Sequence, residues 1–147
     1  IIMIQFQPFR SENQEQILSM MKAFYKIDNY PFDEVKANDL LNQFIQNDSL
    51  GCGYVIKFNN QISGYFILTY VFSFEYGGRI AFLDELFIDE NYRGKGIAGE
   101  TLTYINELKE TLDIKLFYLE VEPHNLAAQN LYKKYHFIIH DRLIMKK

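Results

Sequence analysis

The stretch Leu83–Gly99 constrains this chain more than any other. Leu83, Leu86 and Ile88 supply an apolar strand. Gly94 and Gly96 strip side chains from the loop that follows, and Ile97, Ala98, Leu102 and Ile105 recur at helical spacing from about Gly96. Strand, glycine loop and helix in this order present a helix N-terminus, with its unpaired N–H groups and the positive end of its dipole. Arg93 and Lys95 add formal positive charge inside the loop. Physically this is a site for a phosphate group. A plain strand-to-helix turn would also use the glycines, but it has no need of two cations.

Two phosphate-binding patterns can be set aside. Gly94-Lys95-Gly96-Ile97-Ala98-Gly99 matches the dinucleotide fingerprint literally, with Glu120 and Glu122 about 20 residues further on. That fingerprint needs its first glycine directly after the strand, whereas Asp89 to Arg93 intervene here. Too little chain follows to complete a doubly wound nucleotide domain. No Gly-Lys-Ser/Thr is present, so a Walker loop is excluded.

Read in order, Met3–Phe9 alternates as a first strand, and Ser11 with Gln14 forms a capping-box pattern opening a helix to about Tyr25. A second helix starts at Asp33 or its neighbours and carries Val35, Leu40, Leu41, Phe44 and Ile45. Gly51–Phe58 is a second strand, Asn59-Asn60 a hairpin turn, and the third strand runs from Gln61 to about Tyr76. Gly77-Gly78 turns the chain into a fourth strand, from about Arg79 to Ile88. A third helix spans Gly96 to about Thr111, and a fifth strand Ile114–Val121, parallel to the fourth by crossover. Asn125–Tyr135 is the last helix, and Phe137–His140 with Arg142–Met145 close as a hairpin.

Arg93-Gly94-Lys95-Gly96-Ile97-Ala98 resembles the acyl-CoA loop of the GNAT superfamily of N-acetyltransferases, Arg/Gln-x-x-Gly-x-Gly/Ala. A second block, Asn125 to Phe137, is similar to that family's Asn-x-x-Ala-x-x-Leu-Tyr-x-x-x-Gly-Phe, with His136 in the glycine position. A non-glycine residue tolerates a left-handed helix end less well. The resemblance covers about Phe58 to Phe137. It implies an α/β (α+β) fold: a mixed, mostly antiparallel sheet of six to seven strands, helices on both faces, and one central parallel pair. Residues 1–147 then read as a single N-acetyltransferase domain.

The same resemblance implies acetyl-CoA as the acyl donor. Its pantetheine arm would lie along Leu86, Phe87 and Ile88, with backbone groups meeting its amides. Its pyrophosphate would lie on Arg93, Gly94, Lys95, Gly96, Ile97 and Ala98, with a further contact from Asn125, whose local role is a helix cap. Tyr132 matches the family's tyrosine and is the candidate general acid. A phenol near pKa ~10 keeps its proton at neutral pH and can donate to a departing thiolate. Glu85, with Asp84 second, is the candidate base acting through water, or a binding group for a cationic amine. Strand alternation sends these two to opposite faces unless a bulge intervenes. The first helix–loop–helix lines the acceptor pocket in such families, which makes Tyr25, Tyr30 and Phe32 candidate substrate contacts. Glu75 and Tyr76 at the hairpin end are further candidates, with a solvent-facing turn as their competing role.

Composition narrows the partners. A net charge of −4 argues against nucleic acid and mildly favours a cationic amine, from a small molecule or a peptide. One cysteine, Cys52, permits no intrachain disulfide and suits a reducing cytoplasm. No apolar run is long enough to span a membrane. His124, His136 and His140 lack metal-ligand spacing, and Lys133-Lys134 reads as a solvated helix face. Proteins of this look are often homodimers. Transfer of a longer acyl group is a second enzyme reading, decided by the pocket size near Phe87 and Tyr118, and a non-catalytic acyl-CoA-binding module is the alternative to an enzyme.

Overall fold

The computed structural model describes residues 1–147. In chain order it contains β1 (Ile4–Pro8), α1 (Gln14–Ile27), α2 (Glu34–Ile45), β2 (Gly51–Phe58), β3 (Gln61–Ser73), β4 (Gly78–Ile88), α3 (Ile97–Thr111), β5 (Leu116–Leu119) and α4 (Leu126–Lys134). The strands form one sheet in the order β1-β2-β3-β4-β5, antiparallel except for the parallel β4–β5 pair. No helix is long and apolar enough to cross a membrane.

Both faces of the sheet are covered, so β2 and β3 are apolar on alternate sides. Val55, Tyr65 and Ile67 pack against Ile17, Met21 and Leu41 of α1 and α2. Ile56, Phe66 and Leu68 pack against Ile97, Leu102 and Ile105 of α3, with Leu131 and Tyr132 of α4 alongside. Burying a side chain of this size contributes roughly 1.5–3 kcal/mol. The two-sided core is what fixes the strands in register.

Local chemistry explains most element ends. The Asp33 side chain accepts from Lys36 N at 3.1 Å and starts α2. Asn59 and Asn60 both take positive φ (49° and 67°), the conformation a two-residue hairpin needs. His136 holds φ 70° at the end of α4, and Phe137 N donates back to Tyr132 O at 3.0 Å. The family's glycine turn is therefore kept with a histidine in the left-handed position, at a cost of about 1 kcal/mol.

Several sequence expectations change. The capping box at Ser11 does not form. Ser11–Asn13 make a 3-10 turn, and Gln14 donates instead to Asn38 Oδ1 of α2 at 2.8 Å. β3 stops at Ser73 and pairs with Gly78, so Phe74–Gly77 is the turn. The sheet has five strands, not six to seven, because Phe137–His140 and Arg142–Met145 pair with nothing. Their β-forming side chains have no face to pack on: Ile138, Ile139, Leu143 and Met145 are all more than 80% exposed. The segment is held by the His140 ring against Tyr118, centroids 5.2 Å apart, and by an Arg142–Glu75 ion pair at 2.9 Å. The parallel pair consequently lies at the sheet edge and not at its centre.

Candidate active site

The site begins where the parallel pair comes apart. β4 and β5 pair from Ile80–Leu116 to Leu83–Leu119 and no further. β4 continues to Ile88 while the chain after Leu119 leaves the sheet, which opens a gap between the two strands. A bulge lies at the same level. Ile67 pairs with Glu85 and the next residue, Leu68, with Leu83, so Asp84 is the extra residue. The bulge reverses the alternation of β4. Ala81 and Leu83 face α3, yet Phe87 lies in the core beneath α1. Glu85 accordingly reaches the α1 face, where Tyr25 and Tyr65 meet it. The sequence expectation of opposite faces for Asp84 and Glu85 gives way to the bulge, and both line one chamber.

Three chambers that share lining residues lie along the gap. The first, about 280 Å³, runs between Leu86, Phe87, Ile88, Arg93 and Ala98 on one side and Asn125, Leu131 and Tyr132 on the other. The second, about 480 Å³, shares Leu86, Asn125 and Tyr132 with the first and adds Asp84, Glu120, Glu122 and Tyr30. The third, about 590 Å³, shares Asp84 with the second and is walled by Glu85, Tyr25, Phe32 and the inner face of α2.

At the mouth of the first chamber, Gly94 and Gly96 take φ 74° and 78°, and Gly96 is the N-cap of α3. Apart from the flanking residues in the chain, nothing lies within 4 Å of where their β-carbons would be. The glycines are thus needed for backbone conformation and leave open space in front of the helix end. The N–H groups of Ile97, Ala98 and Gly99 find no acceptor in the chain; the first intrahelical bond is Glu100 N to Gly96 O. Arg93 Nε donates to Ile88 O at 3.0 Å, which ties the loop to the end of β4 and leaves the rest of the guanidinium free. An anion with several acceptor oxygens fits this end. Gly99 has a different reason: an added methyl would overlap the Tyr135 hydroxyl, so its small size lets α4 close on α3.

Tyr132 lines both of the first two chambers. Its ring packs on Phe137, centroids 5.8 Å apart, and burial raises its phenol above the usual value, so it is protonated at neutral pH. The Asn125 side chain accepts from Ala128 N at 3.1 Å, capping α4 with its oxygen and leaving its NH₂ free.

The carboxylates sit beyond. Glu85 accepts from Tyr25 at Oε2 and from Tyr65 at Oε1, both at 2.7 Å. Burial lifts its carboxyl above the ordinary range, against the pull of these two bonds, and the Asp84 charge adds to the rise. Asp84 is also raised, first by desolvation in the cleft and then by Glu120. Tyr30 hydrogen-bonds Glu122, and His124 Nε2 lies 3.2 Å from Asp28 Oδ1, so the α1–α2 connection is fastened to the chain beyond β5. Phe32 packs edge-on to Tyr25, centroids 5.5 Å apart.

The structure does not bring every candidate together. Glu75 and Tyr76 line none of the three chambers. Glu75 pairs with Arg142, which lowers its carboxyl, and Tyr76 accepts a hydrogen bond from the Tyr118 hydroxyl at 3.2 Å. Both lie in the β3–β4 turn, off the cleft. Lys95 has its Nζ 5.9 Å from the Phe58 ring centroid, outside the chambers. Nothing in the sequence points to Tyr65, because a tyrosine inside an apolar strand run carries no local mark of its partner.

Comparison with known proteins bears on the family and the fold. The model of the Acetyltransferase (GNAT) family matches residues 16–137. A spermine/spermidine N(1)-acetyltransferase of Bacillus subtilis (strain 168) is 39% identical over 61 residues, 41% of this chain and 40% of that protein. The match thus spans about two fifths of the relative. A possible acetyltransferase from Clostridium difficile 630 superposes with a TM-score of 0.89 at 18% identity, covering 98% of this chain and 96% of that one. A predicted acetyltransferase with acetyl-CoA from Clostridium acetobutylicum gives 0.81 at 17% identity, covering 99% and 96%. The aminoglycoside N-acetyltransferase AAC(6')-Iy in complex with CoA gives 0.83 at 12% identity, covering 100% and 95%. At these identities the likeness of the solved structures is one of fold.

Proposed function

The chain belongs to the GNAT family of acetyltransferases, and from that premise we propose that residues 1–147 act as one acetyl-CoA-dependent N-acetyltransferase domain with a cationic primary amine as acceptor. The observation that carries the reading is the position of Tyr132, between a helix end suited to a diphosphate and a chamber carrying carboxylates.

In this reading the pyrophosphate takes the N–H groups of Ile97, Ala98 and Gly99, with Arg93 and Lys95 beside them. The pantetheine amides take the free edge of β4 at Leu86, Phe87 and Ile88, together with the NH₂ of Asn125. The acceptor enters between Tyr25, Tyr30 and Phe32. Acetyl-CoA supplies the thioester. The neutral amine forms the new C–N bond as the C–S bond breaks, and Tyr132 protonates the departing sulfur. The amine proton passes to Glu85, or through water to Asp84. A carboxyl held above its ordinary range is a better base than a solvated one.

Asp84, Glu120 and Glu122 around the second chamber favour an acceptor carrying more than one ammonium group. The partial match to a spermine/spermidine acetyltransferase supports a polyamine first and an aminoglycoside or peptide amine after it. The test is thiol release from acetyl-CoA with spermidine, spermine, aminoglycosides, amino acids and peptides. Turnover with a polyamine or other small amine is the expected result. Acetyl-CoA binding with no acceptor turning over would reduce the protein to an acyl-CoA-binding module.

A further inference from the structure

Glu85 is gripped from two sides of the molecule. Tyr25 reaches it from the end of α1, and Tyr65 from the middle of β3. The two phenols differ in setting. Tyr25 lines the third chamber, open to an acceptor. Tyr65 has no exposed surface, and its ring is fixed among Phe9, Phe24 and Phe87, with centroids 5.9–6.4 Å away. A phenylalanine would fill that core position equally well. The buried hydroxyl is tolerated only because Glu85 accepts its hydrogen bond, and the half-buried carboxylate gains a fixed donor in return.

We propose that Tyr65 is a positioning residue for acetyl transfer. Its hydroxyl, held by core packing, sets the orientation in which the Glu85 carboxylate meets the acceptor amine. This rests on the acetyltransferase reading above. A carboxylate has about four lone-pair directions, and the two phenols take one on each oxygen. The remaining two are left for an ammonium group or a bridging water. Tyr25 shares the carboxylate with the acceptor, whereas Tyr65 cannot touch it.

The donors stay in place across the working pH range, because burial and the Glu85 charge raise both phenols. The titrating group is then Glu85 itself. Around it stand Tyr25 of α1, Asp33 and Lys36 of α2, Tyr65 of β3 and Asp84 of β4, with Glu120 acting on Asp84 from across the gap. A hydrogen bond to the ionised form lowers a carboxyl, so removing the Tyr65 hydroxyl raises it.

The experiment is the pH profile of kcat/KM for the acceptor amine at saturating acetyl-CoA, in wild type, Tyr65→Phe, Tyr25→Phe and Glu85→Gln. Tyr65→Phe should move the acid limb up by about one pH unit, as loss of one charge-assisted bond implies. KM for acetyl-CoA should stay unchanged. Tyr25→Phe should move the limb and also change KM for the amine. Added to Glu85→Gln, Tyr65→Phe should have no further effect. A folded Tyr65→Phe protein with the wild-type limb overturns the proposal, as does a full additional loss in the Glu85→Gln background. If no amine turns over in wild type, it is the acetyltransferase reading that fails. The Glu85–Tyr65 link is then decided by carbon-13 NMR titration of the Glu85 carboxyl, whose midpoint must rise in Tyr65→Phe and overturns the link if it does not.

Discussion

Leu83 and Glu85 stand two positions apart on one strand and face opposite sides of the sheet, Leu83 toward α3 and Glu85 toward the tyrosines of α1 and β3. Asp84, the unpaired residue between them, makes the reversal. The bulge is a property of backbone count and not of the Asp84 side chain, which lines the cleft without a hydrogen-bond or ion-pair partner. Asp84→Ala should therefore keep a melting temperature near that of wild type. Deleting Asp84 joins Leu83 to Glu85 with their β3 partners unchanged, which restores plain alternation and keeps Phe87 and Glu85 on the α1 side, so this protein should fold as well. Circular dichroism melts of the two proteins check this; a deletion mutant that fails to fold would show that the sheet needs the bulge itself and not only the faces on either side of it.

Glu85 should make folding stability fall as pH rises. Its carboxyl is raised in the folded chain, so the folded state binds that proton more tightly than the unfolded state. Its contribution is complete below the unfolded value of about 4.3 and is lost as pH climbs through the folded value. Glu85→Gln removes this dependence. Urea unfolding at pH 4 and pH 7 should show the mutant gaining on wild type at the higher pH. An equal difference at both pH values would contradict the raised carboxyl.

For Tyr132, the expected loss is in turnover. Tyr132→Phe should lower kcat by about 10²-fold or more, the usual contribution of a positioned acid. The acetyl-CoA dissociation constant, measured by calorimetry, should change by about twofold or less, because the ring and its packing on Phe137 remain. Unchanged turnover would remove the phenol from the chemistry.

The loop glycines should separate by cause. Gly96→Ala meets no neighbour but must hold φ 78°, costing about 1–2 kcal/mol and weakening acetyl-CoA binding. Gly96→Glu adds a negative charge at the helix end and should abolish binding. Gly99→Ala collides with the Tyr135 hydroxyl and should cost about 1–3 kcal/mol. Adding Tyr135→Phe should recover part of that loss while leaving Gly96→Ala unimproved. Thermal melts and calorimetry on the five variants read both effects.

What the chain announced by itself was local. Gly94 and Gly96 at positive φ, Asp33 and Asn125 as helix caps, and the Asn59-Asn60 turn each follow from the conformational preferences of a few neighbouring residues. Those preferences act in the sequence as they do in the fold, so the open, glycine-flanked N-terminus of α3 and the helix bearing Tyr132 are legible in the sequence itself. The decisions left to tertiary structure all concern pairing. The bulge at Asp84 depends on how β4 aligns with β3, and it alone brings Glu85 to Tyr25 and Tyr65. Glu75 and Tyr76 fall off the cleft because β3 stops at Ser73, and the closing hairpin fails because 137–145 find no strand to join. Register is fixed by burying two faces at once against distant elements, and a pattern that alternates equally well in either phase carries no record of that choice.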